Sequence, residues 1–196
     1  QPAGVEGDVV VLVATAAQAG AKGSLLIIGG GDRPDGLTKK FVELARGFGS
    51  GKIVIFTMAS GAPEETGPAM VAEVTAAGAP EAVYYQLTRA EALKPDSAKL
   101  LDGAGGVYFT GGDQALLTAA LLDTPIHERV LELYDQGLVL SGTSAGAAVM
   151  SEVMITGNEK RTKDENENWQ TIEADNVETV RNGSIAFTSV SLSNLS

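Results

Sequence analysis

The chain has 196 residues, 44% of them apolar, and its 25 acidic groups outnumber 14 basic ones to give a formal charge of −11. Those figures fit one soluble globular domain over residues 1–196 with a buried core. The acidic surplus excludes a general binder of nucleic acid or anionic membranes, and the absence of cysteine excludes disulfides, thiol nucleophiles and thiolate metal sites.

Short apolar runs ending in turn residues predict buried strands at Ser24–Ile28, Lys52–Met58, Ala82–Leu87, Gly106–Thr110 and Leu138–Leu140. Between them, helices are predicted at Thr38–Gly47, Glu64–Ala77, Ser97–Asp102, Asp113–Leu122 and Ile126–Gln136. This alternation reads as α/β, a mostly parallel sheet sandwiched by helices. Ligands of such a sheet bind beyond the carboxyl ends of its strands. Glycines gather at those ends: Gly29-Gly30-Gly31, Ser60-Gly61 and Gly111-Gly112 each follow a predicted strand, and Ser144 follows the last one. Neither glycine-rich stretch near the start suits a nucleotide. Pro34 stands where G-x-G-x-x-G needs its third glycine, and Lys52 is followed by Ile53 rather than by Ser or Thr. Residues 157–176 are rich in Glu, Asn, Lys and Thr and predict an exposed polar loop, after which Ile185–Leu195 alternates like an edge strand. No apolar run approaches the ~20 residues that cross a bilayer. The start at Gln1 rather than Met leaves a removed leader or a trimmed start open, and we expect a periplasmic or secreted protein, with a cytoplasmic one as the alternative.

The densest chemical signal is Val139–Ala148, where an apolar run breaks into Gly142-Thr143-Ser144-Ala145-Gly146. This is G-x-S-x-G, a serine on a sharp strand-to-helix turn, crowded unless the residues two before and two after it lack bulk. A helix beginning just after Ser144 would aim free N–H groups at negative charge forming beside the serine oxygen, as acyl transfer requires. The plainer reading is a Gly/Ser-rich turn with no chemistry. A serine hydroxyl also needs a base, usually histidine, and this chain has one. That residue, His127, follows Thr124-Pro125, a helix N-cap and first position, so it reads as a surface or helix-start residue rather than the base.

Taken in order, Leu25–Gly31 (LLIIGGG), Phe109–Gln114 (FTGGDQ) and Ser141–Ala148 (SGTSAGAA) with Met154-Ile155 resemble the cyanophycinases, within the serine peptidase family that also holds the aspartyl dipeptidases. The likeness runs from about Gly23 to Glu159. It implies a class I glutamine-amidotransferase-like sandwich, lacking here its C-terminal part, and hydrolysis of β-aspartyl (aspartate–arginine) or aspartyl peptide bonds. By this resemblance Ser144 is the nucleophile, the backbone N–H groups of Ala145 and Gly112 hold the oxyanion, and Gln114 contacts substrate. Asp113 stands beside it, and an N-cap role is its plainer reading. The acid that orients the histidine falls at Glu159, with Glu165 and Glu167 competing for the place. The histidine itself should follow that acid, with substrate-holding arginines, and no such segment precedes Ser196. The base is therefore expected on a complementary C-terminal chain, with a fragment or a loss of catalysis as the other readings. Expected partners are a peptide rich in aspartate and arginine and a second copy in a homodimer; no cofactor or metal is implied. A non-catalytic peptide or amino-acid binding protein of the same fold is the rival, and an esterase of the α/β-hydrolase type shares only the serine turn.

Overall fold

A computed structural model describes residues 11–15, 21–31, 36–151, 153–159 and 177–181. Its centre is a six-stranded sheet built from β1 (Val11–Thr15), β2 (Ser24–Ile28), β3 (Lys52–Phe56), β4 (Ala82–Tyr85), β5 (Ala104–Phe109) and β6 (Val139–Thr143), in the order β1-β2-β6-β5-β3-β4. All neighbours run parallel except the edge strand β1, which pairs antiparallel with β2 from Val11↔Ile28 to Thr15↔Ser24. Strand β1 is not among the predicted strands, although Val9–Ala14 is a valine-rich apolar run preceded by Gly7-Asp8.

Strand residues alternate between two cores, as a period of two dictates. Ile53, Ile55, Tyr108, Val139, Leu26 and Ile28 pack on one face with Phe41, Val42 and Ala45 of α1 (Leu37–Ala45) and Met70 and Val74 of α2 (Pro63–Ala76). Val54, Phe56, Val107, Phe109, Leu140 and Leu25 point the other way. There they meet Ala92 of α3 (Arg89–Ala92), Leu117 and Leu121 of α4 (Gln114–Leu121), and Ile126, Val130 and Leu133 of α5 (Pro125–Gln136). Both faces of the sheet are thus covered, which is why its strands read as continuous apolar runs rather than alternating ones. The predicted helix at Ser97–Asp102 is a tighter 3-10 segment, Pro95–Leu101, opened by its proline.

Beyond the short helix α6 (Ala145–Ala148), β7 (Val153–Glu159) and β8 (Val177–Arg181) form an antiparallel ribbon. Met154 is buried and touches the Thr118 hydroxyl of α4 through its sulfur, at 3.8 Å, so the base of the ribbon rests on that helix. This revises the sequence expectation for 157–176: its first residues continue strand β7 to Glu159, and the rest lies outside the described residues. The edge strand expected at Ile185–Leu195 also lies outside them.

Candidate active site

Strand β6 ends at Thr143, and the next residue turns the chain sharply. Ser144 has φ 50° and ψ −112°, a combination that L-residues avoid, and it is exposed. Three contacts hold it there. Its N–H donates to the carbonyl of Ile28 at the end of β2 (2.9 Å), and its own carbonyl accepts the N–H groups of Ala147 (3.0 Å) and Ala148 (2.9 Å). The flanking glycines leave no alternative. A Cβ on Gly142 would come within 2.4 Å of the Gly146 carbonyl oxygen, and one on Gly146 within 2.0 Å of the Phe109 carbonyl oxygen. The G-x-S-x-G spacing therefore packs the start of α6 directly onto the end of β5, with the serine at the apex.

The glycine turn after β5 lies alongside. A Cβ on Gly111 would stand 3.6 Å from Ser144 Cβ and 3.5 Å from Thr143 Cγ2. Gly112 has φ 131°, and a Cβ there would fall 1.9 Å from the Ala59 carbonyl oxygen. That carbonyl instead accepts the N–H of Asp113 at 2.8 Å, so the turn after β3 backs the turn after β5. Behind both, Thr57 is pinned by its hydroxyl to the Tyr85 carbonyl (3.2 Å) and to Gln86 Oε1 (2.9 Å). Of these backing residues, Ile28 belongs to the Leu25–Gly31 stretch, whereas Ala59 and Thr57 carry no motif and surface only through the strand register.

Asp113 is the N-cap of α4, its Oδ1 accepting the N–H of Ala115 at 2.8 Å, and Gln114 is the half-buried first residue of that helix. Ala145 is buried and opens α6, where the first N–H groups of a helix have no intrahelical acceptor. Ser144, Ala145, Gly112, Asp113 and Gln114 are thus gathered at the carboxyl ends of adjacent strands. Glu159 is not in a loop: it is the last residue of β7, paired across the ribbon with Val177. Glu165 and Glu167 lie outside the described residues.

His127 begins a helix, as expected, but it is not on the surface. It is 4% exposed, and its Nδ1 accepts the N–H of Asp123 at 3.1 Å. Asp123 itself has φ 56°, and the Thr124 hydroxyl bonds the Leu121 carbonyl (2.6 Å) while accepting the His127 N–H (3.4 Å). The imidazole is thereby built into the start of α5. Among the described residues no group of His, Asp or Glu is arranged to hold a metal ion, and no helix is long and apolar enough to cross a membrane.

Compared with known proteins, residues 25–177 match the model of peptidase family S51. Cyanophycinases from Nostoc sp. and Trichormus variabilis are 35% and 34% identical over 141 residues, which is 69% of this chain and 47% of each of theirs. The cyanophycinase of Geminocystis herdmanii is 34% identical, with 52% of its length covered. The chain spans about half the length of these curated relatives. Among solved structures, a peptidase from an acI-B1 Actinobacterium superposes with a TM-score of 0.60 at 26% identity, covering 70% of this chain and 60% of that one. With the serine turn and its flanking glycines in place on a parallel α/β sheet, this chain belongs to peptidase family S51.

Proposed function

We propose that this chain carries the nucleophile of a serine peptidase that cleaves β-aspartyl or aspartyl peptide bonds. The observation that carries the reading is the strained, exposed Ser144 wedged between the β2 end and the Gly111-Gly112 turn, within a match to peptidase family S51. The substrate class is drawn from the cyanophycinase relatives. In this reading a base removes the Ser144 Oγ proton as the oxygen attacks the scissile carbonyl. The N–H groups of Ala145 and Gly112 receive the oxyanion, with Gln114 and Asp113 at its edge touching substrate. Collapse breaks the C–N bond, the amine leaves with the base's proton, and water then hydrolyses the acyl ester. The base is a histidine outside these 196 residues, oriented by Glu159, since the single histidine within them is committed to the α5 cap.

The test is to incubate the full-length protein with a fluorophosphonate probe and, separately, with β-aspartyl-arginine. Labelling confined to Ser144 and release of free aspartate and arginine are expected. A full-length protein that neither labels nor hydrolyses supports the second reading, a peptide or amino-acid binder on the same fold, which the burial of His127 favours.

A further inference from the structure

One buried polar group in the described core has no partner and lies directly beneath the candidate site. Thr110 directly follows β5, is 2% exposed, and its hydroxyl has no hydrogen-bond partner among the described residues. Its N–H is committed to the Phe56 carbonyl at 3.1 Å, which fixes the backbone. Register places it in a row. Phe109 pairs with Phe56 of β3 and with Gly142 of β6, so Thr110 stands level with Thr57 and Thr143, one step beyond the last strand pairs. Thr57 uses its hydroxyl to hold Tyr85 and Gln86, and the Thr143 methyl packs under Gly111. Thr110 lies between them and is followed at once by the Gly111-Gly112 turn.

Unpaired buried hydroxyls are rare because each forfeits its hydration without return. Valine has almost the same shape and forfeits nothing, so packing alone gives no reason for a threonine here. A group that destabilises the resting fold is explained when it gains a partner in another state. Resting on the reading of Ser144 as a nucleophile, we infer that Thr110 is a positioning residue for the Gly111-Gly112 turn. Its hydroxyl engages the buried side of the turn, directly or through one water, when negative charge develops on the opposite side. The planar peptide makes this coupling natural: the N–H and C=O of one unit point in opposite directions. Bracing the inward side therefore fixes the outward donor, and the bond strengthens with the charge that donor receives.

The experiment uses the full-length protein with Thr110→Val and Thr110→Ser, reading the melting temperature and fluorophosphonate labelling kinetics. Thr110→Val is expected to melt about 2–4 °C higher, as loss of an unpaired buried hydroxyl should in a domain of this size. Its maximal labelling rate should fall about tenfold, with the probe concentration at half-maximal rate unchanged, a fraction of the loss seen when an oxyanion donor is removed outright. Thr110→Ser should restore the rate. A valine variant that labels like wild type, or that melts lower, overturns the inference. A wild-type protein that never labels removes the nucleophile reading and the positioning role with it, whereas the melting shift separately reports whether the hydroxyl is unpaired.

Discussion

Ser144 is one of two non-glycine residues with positive φ among those described, and replacing it with glycine separates its strain from its chemistry. A residue held in such a region costs about 1–3 kcal/mol. Glycine removes that cost but adds about 0.5–1 kcal/mol of unfolded-state entropy, leaving a net gain of about 1–2 kcal/mol. Alanine keeps a Cβ and so keeps the strain, while also deleting the hydroxyl. Ser144→Gly should therefore melt about 2–8 °C above Ser144→Ala in a domain of this size, with both variants dead toward a fluorophosphonate. Ser144→Ala itself should stay within about 0.5 kcal/mol of wild type, because the side chain is exposed. Urea titrations with matched slopes give the free energies, and thermal melts by circular dichroism give the order. The reasoning fails if the glycine variant is no more stable than the alanine one, because the 2.9 Å bond from Ser144 N–H to Ile28 and the packing of Gly142 on Gly146 would then impose no strain on the apex.

Gly112→Ala forces a carbon to 1.9 Å from the Ala59 carbonyl, so Ser144 labelling should slow about 10²-fold, in line with losing an oxyanion donor, and the melting point should drop. Gly61→Ala is the matched control, since its added carbon meets nothing within 4 Å and should leave both readouts unchanged. His127→Leu removes the Nδ1 acceptor of the Asp123 N–H and should cost about 1–3 kcal/mol of stability while the labelling rate of Ser144 holds; a collapse in labelling without a loss of stability would make His127 the base. The Glu91 carboxyl is held below the usual carboxylate range, first by the Thr88 N–H (2.8 Å) and then by its hydroxyl (2.7 Å). Its stabilising effect is therefore present above the unfolded carboxylate pKa, about 4.3, and is lost as pH falls through the lower folded value. Thr88→Val should raise the Glu91 titration midpoint seen by carboxyl NMR.

The sheet was legible because parallel strands buried on both faces read as unbroken apolar runs. Ile53–Phe56 and Val107–Phe109 send alternate residues into opposite cores and leave no polar position to confuse the pattern. Caps were legible for a related reason: Asp113 and Thr124 are short polar side chains placed where orphan N–H groups need an acceptor. Strand β7 was not, since Thr156, Gly157 and Asn158 read as loop and the strand is fixed by pairing with β8. His127 was half legible. Its place at a helix start follows from Thr124-Pro125, but its burial follows from tertiary packing of the α5 start and from a bond to Asp123, whose positive φ no sequence pattern announces. Glu159 reads as part of a polar loop, whereas its place at the end of β7 is fixed by backbone pairing with Val177 of β8.

The groups that aim Ser144 belong to three neighbouring strand ends. Ile28 fixes its N–H from one side, Gly111 borders it from the other while Phe109 packs against Gly146, and Ala59 supports the glycine turn from behind. None of these contacts involves His127, whose imidazole serves the start of α5. The geometry of the Ser144 turn is therefore a property of backbone register and of small residues, whereas the proposed attack requires a separate proton acceptor. That division explains why a serine turn can be fully formed in a chain whose single histidine is committed elsewhere. It also explains why the costs cluster here: the strained apex at Ser144 stands on the rim, and the buried Thr110 hydroxyl, without a partner among the described residues, lies just beneath it.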